Sequence, residues 1–139
     1  MMLVSNPSER KTEFWKSQDG GDTFSLRADG WYNSNDNNRT ELGGRMTVTE
    51  ADPNRVYVIL VGNSKAGDDG YIGVYRSSDA GDSWAITNPP MGGPYDDTHN
   101  NLATLSNTNS LQQGYYNLGI AASDDDPDVV LVGLSLIHI

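Results

Sequence analysis

An octet of residues occurs twice in the chain and constrains its fold more than any other feature. Residues 17–24 are Ser-Gln-Asp-Gly-Gly-Asp-Thr-Phe, and residues 77–84 are Ser-Ser-Asp-Ala-Gly-Asp-Ser-Trp. Both fit the pattern Ser-x-Asp-x-Gly-x-(Ser/Thr)-(Trp/Phe), and each follows a short run that contains aromatic residues, at 14–16 and 74–76. An octet of this composition predicts a sharp turn that joins two β-strands.

Each position of the octet has a structural interpretation. An aspartate two residues into a turn accepts hydrogen bonds from the backbone N–H groups ahead of it. Glycine tolerates the positive φ that such a turn requires, the hydroxyl is a second local partner, and the aromatic ring is expected to be buried and to anchor the hairpin. We therefore predict structural roles for ten residues, namely Ser17, Asp19, Gly21, Thr23, Phe24, Ser77, Asp79, Gly81, Ser83 and Trp84.

A second repeated motif alternates with the octets. Asp-Pro followed by Asn or Asp occurs at 52–54 and 126–128, and each occurrence leads into a β-branched run. Proline and the residue beside it favour a tight turn. A short apolar run precedes each turn, at 46–49 and 118–122. The order strand, Asp-Pro turn, strand, polar loop, strand, octet, strand predicts a four-stranded antiparallel sheet that is repeated along the chain.

The octet resembles the Asp-box, or BNR repeat, of sialidases, xyloglucan-cleaving glycosidases and sortilin-type ectodomains. Residues 44–57 resemble the openings of blades in the same superfamily. The resemblance implies an all-β fold, a partial β-propeller of four-stranded antiparallel blades. It also implies that the octets lie on the propeller face away from the substrate site.

The length of the chain limits how much of a propeller it can contain. Propellers close with about four to eight blades of four strands each, and 139 residues are too few for that. We expect the end of one blade with its octet and a long loop in 1–43, a complete blade in 44–88, and a long loop with the first half of a further blade in 89–133. The segment 134–139 resembles the translation of a sequencing-library transposon end and is expected to be a non-native tail, the alternative being an ordinary apolar strand.

Composition excludes several kinds of partner. The formal net charge is −10, so the chain has no basic surface for nucleic acid phosphates or an anionic membrane. It contains no cysteine, which excludes a disulfide framework. No apolar run is long enough for membrane insertion, and no signal peptide is visible. A secreted or cell-surface location is expected from the family resemblance alone, and the expected partners are a glycan or protein ligand and the missing blades of the same parent chain.

Topology predicts where a binding site lies. In an up-and-down blade the octets and Asp-Pro turns share one edge, so the polar segments 28–43, 62–70 and 89–117 are expected at the opposite edge. Loops on a rigid scaffold are where binding and catalysis concentrate. Aromatic rings offer apolar faces to sugars, and acids hydrogen-bond to sugar hydroxyls. The predicted binding residues are Trp31, Tyr32, Glu41, Asp68, Asp69, Tyr95, Asp96, Asp97, His99, Tyr115 and Tyr116.

Catalytic residues are not assigned. Glycoside hydrolysis requires two carboxyl groups, about 5 to 5.5 Å apart for retention or about 6.5 to 9.5 Å for inversion. No spacing selects a pair among the candidates, which are Asp29, Asp36, Glu41, Asp96 and Asp97. The arginine triad and the Arg-Ile-Pro type motif of sialidases are not found. No metal site and no cofactor are predicted, with calcium at 33–38 or 68–70 as the open alternative.

Three hypotheses on function follow. The leading one is a fragment of a secreted bacterial Asp-box propeller of the glycoside-hydrolase-like type, which acts on or binds glycans. The alternative is a non-catalytic propeller of the sortilin-like or adhesin type that binds protein or polysaccharide. The third is a truncated reading frame without a functional product. Under the first hypothesis we expect the isolated chain to be inactive, because residues from absent blades would complete the cleft.

Overall fold

The described part of the chain is all-β. The structure, a computed structural model, describes residues 1–6, 11–31, 40–63, 71–87 and 118–134. Within these residues it contains no helix that could cross a membrane. Its strands are β1 (Met2–Asn6), β2 (Lys11–Lys16), β3 (Ser25–Leu26), β4 (Thr40–Val48), β5 (Val56–Asn63), β6 (Tyr71–Ser77), β7 (Ala85–Ile86), β8 (Leu118–Ala122) and β9 (Val130–Leu134).

The strands form three antiparallel sheets, which we call the first sheet (β1-β2-β3), the middle sheet (β4-β5-β6-β7) and the third sheet (β8-β9). In the middle sheet the Asp-Pro turn joins β4 to β5 and the second octet joins β6 to β7. The first octet joins β2 to β3, and the other Asp-Pro turn joins β8 to β9. The strands and turns thus follow the predicted order, although the expected boundary at residue 44 falls inside β4.

Strand β5 is buried on both of its faces. Val56, Val58 and Leu60 pack in a cluster with side chains of the first sheet. The alternate residues Tyr57, Ile59 and Val61 pack in another cluster with side chains of the third sheet. Because successive side chains of a strand point to opposite faces, a continuous apolar run of this kind requires a layer on each side. The middle sheet is therefore the central layer of a stack of three.

Aromatic rings fill the first core, which lies between the first and middle sheets. The Phe14 ring is fully buried, and its centroid lies 4.7 Å from that of Trp84 in an edge-to-face arrangement. The ring centroid of Trp31 lies 4.8 Å from that of Trp84 and 5.6 Å from that of Tyr75. Such pairs stabilise by about 0.5–1.5 kcal/mol beyond their buried area. Rings from three separate segments thereby hold the two sheets together.

The second core lies between the middle and third sheets, and hydrogen bonds flank it near the turn that joins β8 to β9. Leu118 of β8 is buried against the middle sheet. The Tyr57 hydroxyl donates a hydrogen bond of 2.7 Å to the backbone carbonyl of Pro127 in the Asp-Pro turn of the third sheet. The Thr49 hydroxyl donates to the carbonyl of Ser123. These bonds fix the position of the third sheet at the end where its turn lies.

The substitution Tyr57→Phe tests this contact. It removes the hydroxyl that donates to the Pro127 carbonyl and leaves the ring in the second core. We expect the free energy of unfolding to fall by about 0.5–1.5 kcal/mol, the usual contribution of one such bond. Urea unfolding followed by tryptophan fluorescence measures the change, and a stability equal to that of the wild type would contradict the described contact.

Candidate functional site

The second octet is closed by the side chains of its serine and aspartate. The Ser83 N–H donates to Asp79 Oδ1 at 2.9 Å, and the Ser83 hydroxyl donates to Oδ2 at 2.6 Å. The Ser77 hydroxyl donates to Asp79 Oδ1 at 2.7 Å, and its oxygen accepts the N–H of Gly81 at 2.8 Å. Both carboxylate oxygens of Asp79 are therefore engaged inside their own turn.

The first octet contains the same bonds at the same positions. Asp19 accepts the N–H of Thr23 at 2.9 Å, the Thr23 hydroxyl at 2.5 Å and the Ser17 hydroxyl at 2.7 Å. The Ser17 oxygen accepts the N–H of Gly21 at 2.8 Å. Corresponding distances in the two octets agree to within 0.1 Å. The repeat in sequence is thus a repeat in structure.

The octet glycines adopt left-handed backbone conformations, with φ of 107° at Gly21 and 89° at Gly81. Gly81 has a second reason to lack a side chain, since a Cβ there would lie 2.4 Å from the Phe14 ring. A Cβ at Gly21 would have no atom within 4 Å. The same position of the octet is therefore constrained by conformation alone in one copy and by packing as well in the other.

Alanine at these two glycines separates the two constraints. For Gly21→Ala we expect a loss of stability of about 1–2 kcal/mol, the cost of the left-handed conformation. For Gly81→Ala the overpacking of Phe14 adds about 1–3 kcal/mol to the same backbone cost. Chemical denaturation of both variants measures the difference, and equal losses would contradict the packing of Gly81 against Phe14.

Hydrogen bonding holds the octet aspartates in their charged form. The hydroxyl and N–H of Ser83 lower the pKa of Asp79 from 3.8 to about 2. The hydroxyl and N–H of Thr23 likewise lower the pKa of Asp19. A general acid in glycoside hydrolysis requires a raised pKa. Neither octet aspartate has a pKa raised in this way.

The pKa of Asp79 predicts a contribution to acid stability. Because its pKa is lower in the folded chain, the contribution is present above about pH 3.8 and is lost as the pH falls through about 2. Asp79→Asn removes the ionisation and one acceptor. We expect the variant to be less stable than the wild type at pH 6, with the difference shrinking towards pH 2. Denaturation curves across this range provide the measurement, and a difference that does not change with pH would contradict the assignment.

The octets and the Asp-Pro turns lie at one edge of the sheets, as predicted. The Ala80 N–H of the second octet donates to the carbonyl of Asn54 in the Asp-Pro turn at 2.8 Å. Arg55 donates to the Ser78 hydroxyl at 2.9 Å and lies 3.2 Å from a carboxylate oxygen of Asp128 in the third sheet. Arg55 thus links the octet of one sheet to the turn of the next.

Ion pairs join the second octet to the first sheet. Asp82 lies 2.7 Å from the Lys16 ammonium and 2.9 Å from the Arg27 guanidinium. Hydrogen bonds from Lys16 and then Arg27 lower the pKa of Asp82. Sequence reasoning treated this octet position as variable and missed the pair. The sequence does contain a signal for these ion pairs, since Asp82 is an acid in the second octet and the basic residues Lys16 and Arg27 flank the first octet.

Few of the predicted binding residues fall within the described structure. Glu41 lies in β4, opposite Gly62 and beside a β-bulge between Glu41 and Gly43. Trp31 is half-buried in the first core, and its indole N–H donates to the Thr12 carbonyl at 2.8 Å. Outside the described residues lie Tyr32, Asp68, Asp69, Tyr95, Asp96, Asp97, His99, Tyr115 and Tyr116, together with the proposed calcium segments 33–38 and 68–70.

Two predictions from the sequence are wrong in detail. The segment 28–31 does not lie opposite the octets, because Asp29 forms a β-bridge with Ser83 and its backbone carbonyl accepts the backbone N–H of Trp84 at 2.9 Å. This segment runs between the first two sheets beside the second octet. The Phe24 ring is not buried, since it is 38% exposed whereas Trp84 is 6% exposed. Trp84 has the first sheet to pack against, whereas the described structure places no sheet over Phe24.

The described residues contain no cluster of three or more histidines, cysteines or acids that could hold a metal ion. No protein-family model matches the chain, and neither the curated proteins nor the solved structures include one that matches it. The likeness to Asp-box proteins therefore depends on the two octets, the Asp-Pro turns and the order of the strands.

Proposed function

We propose that this chain is part of a secreted Asp-box β-propeller of the glycoside-hydrolase-like type and that it binds glycans at the sheet edge opposite the octets. The observation that carries the proposal is the pair of octets with matching hydrogen bonds in consecutive stacked sheets. A propeller is a ring of such sheets. The same turn at the same edge of successive stacked sheets supports a repeated blade of this kind.

The edge that carries the octets is poorly suited to bind a ligand through its aspartates. The carboxylates of Asp19 and Asp79 are engaged within their turns, and Asp82 is paired with two cations. The opposite edge is where β5 ends at Asn63 and β6 begins at Tyr71. The long connections to and from that edge are where ligand recognition is expected on a rigid scaffold.

The composition of the longest connection supports a sugar ligand. The segment 89–117 contains Tyr95, Asp96, Asp97, Tyr115 and Tyr116. Tyrosine combines an apolar ring, which packs on the apolar face of a sugar, with a hydroxyl that hydrogen-bonds. Carboxylates accept hydrogen bonds from sugar hydroxyls. For this chain we propose binding, and we propose hydrolysis only for a parent propeller in which further blades complete the cleft.

A double substitution, Tyr115→Ala with Tyr116→Ala, tests the proposal. The wild type is first applied to a glycan array, and its best oligosaccharide is then titrated by calorimetry. By analogy with contacts between aromatic rings, each ring is expected to contribute about 0.5–1.5 kcal/mol. We therefore expect the double variant to weaken binding by about 5- to 150-fold.

The matched control is Phe24→Ala, which removes an exposed aromatic ring at the octet edge. We expect this variant to bind the same oligosaccharide with wild-type affinity. An array with no bound glycan would overturn the proposal, as would an equal loss of affinity in the control. Capture of a protein ligand alone would favour the sortilin-like alternative.

A further inference from the structure

The two ends of the sheet stack expose apolar side chains. On the outer face of the first sheet, Met2 pairs with Trp15 and Trp15 pairs with Leu26, so their side chains share that face. Met2 and Leu26 are 40% and 44% exposed. On the outer face of the third sheet, Leu131 is 70% exposed and pairs with Ala121. We call these surfaces the first outer face and the third outer face.

The first outer face repeats the positions that cover a neighbouring sheet elsewhere in the structure. Across the first sheet, Met2 pairs with Trp15 and Trp15 pairs with Leu26. In the middle sheet the corresponding residues are Val58, Tyr75 and Ile86, which pair in the same way. The middle-sheet residues of that set pack in the first core with Phe14. The first sheet therefore presents outward the kind of surface that packs on a preceding sheet.

The third outer face corresponds to the side of the middle sheet that packs on the following sheet. Leu131 follows its Asp-Pro turn at the position that Tyr57 occupies after the other Asp-Pro turn. Tyr57 lies on the face of the middle sheet that covers the next sheet. Beside Leu131 the face is lined by Ala121, Gly119 and Gly133, and a Cβ at Gly133 would have no atom within 4 Å. This face has room for bulky side chains such as Trp15.

We propose that a second copy of this chain docks head to tail, with the third outer face of one copy on the first outer face of the other. The contact would repeat the sheet packing found twice inside each copy. The described residues of two copies supply six sheets, three from each, and this number lies within the four to eight of closed propellers. Both head-to-tail contacts can then form in one closed pair, so the assembly need not grow into an open fibre. In this chain by itself the second copy takes the place that further blades would hold in a longer parent, and the contact does not depend on the proposed glycan binding.

The charge of the chain gives this association a distinctive salt dependence. Each copy carries a formal net charge of −10, so two copies repel each other at low ionic strength. Salt screens this repulsion, whereas it leaves apolar packing in place. We therefore expect association to strengthen as salt is added.

Sedimentation velocity of the full chain over a wide range of concentration tests the proposal. We expect a species of twice the 15.1 kDa chain mass that dissociates on dilution and is favoured by salt. Leu26→Lys and Leu131→Lys each place a cation on one outer face. Both substitutions reduce the net negative charge, so any loss of association cannot arise from greater repulsion. We expect each to raise the dissociation constant at least about tenfold, because an ammonium in an apolar contact is costly.

The matched control is Val48→Lys, at a residue that is 53% exposed in β4 of the middle sheet and lies on neither outer face. It should leave the dissociation constant unchanged. A mixture of the Leu26→Lys and Leu131→Lys chains retains one contact between two unsubstituted faces, so we expect it to associate more strongly than either variant alone. Circular dichroism establishes that each variant is folded.

Three results would overturn the proposal. A wild-type chain that stays monomeric at every concentration and salt would show that no second copy docks. A dimer that is insensitive to either outer-face substitution would place the contact elsewhere. A mixture of the two variants that associates no better than each alone would exclude head-to-tail geometry. If any of these results is obtained and the wild-type chain still binds the glycan, the proposed function stands although the docking proposal does not.

Discussion

The burial of β5 on both faces is the constraint on which the rest of the structure depends. Its alternate residues pack in two separate cores, Val58 with the first sheet and Ile59 with the third. A strand of this kind cannot be stable in an isolated sheet, because the apolar side chains on both of its faces would face water. The first and third sheets are needed to cover it, and they leave apolar faces of their own at the ends of the stack.

The octets have a different structural role, which is to end one strand and begin the next within a tight turn at one edge of the sheet. In each octet a buried or half-buried serine and an aspartate satisfy the N–H groups that the turn leaves without strand partners. The same turn then serves as a point of attachment, since Asp82 pairs with the first sheet and Ala80 bonds to the Asp-Pro turn. The carboxylates of Asp19 and Asp79 are therefore used for hydrogen bonds within the fold, and we expect a ligand to be bound by other segments.

The sequence predicted the strands and turns well because these depend on local chemistry. The octet pattern and the Asp-Pro turns specify backbone conformations that a few adjacent residues determine, and β5 is recognisable as an unbroken apolar run. Trp31, Phe24 and Asp82 were harder to predict because their environments depend on which sheet packs against which. Trp31 was expected to bind sugar but lies in the first core, and Phe24 has the same place in its octet as Trp84 without a described sheet to cover it. The candidate binding residues at 89–117 remain predictions.

Both octets form the same hydrogen-bonded turn within a stack of sheets. Amide hydrogen exchange measured by NMR on the full chain tests it most directly. We expect the amides of Gly21, Thr23, Gly81 and Ser83 to be protected although they lie outside the strands. The amides of the second octet should exchange more slowly, because Ser77 and Gly81 are buried. Exchange of these four amides at the rates of an unfolded chain, while the amides of β5 are protected, would contradict it.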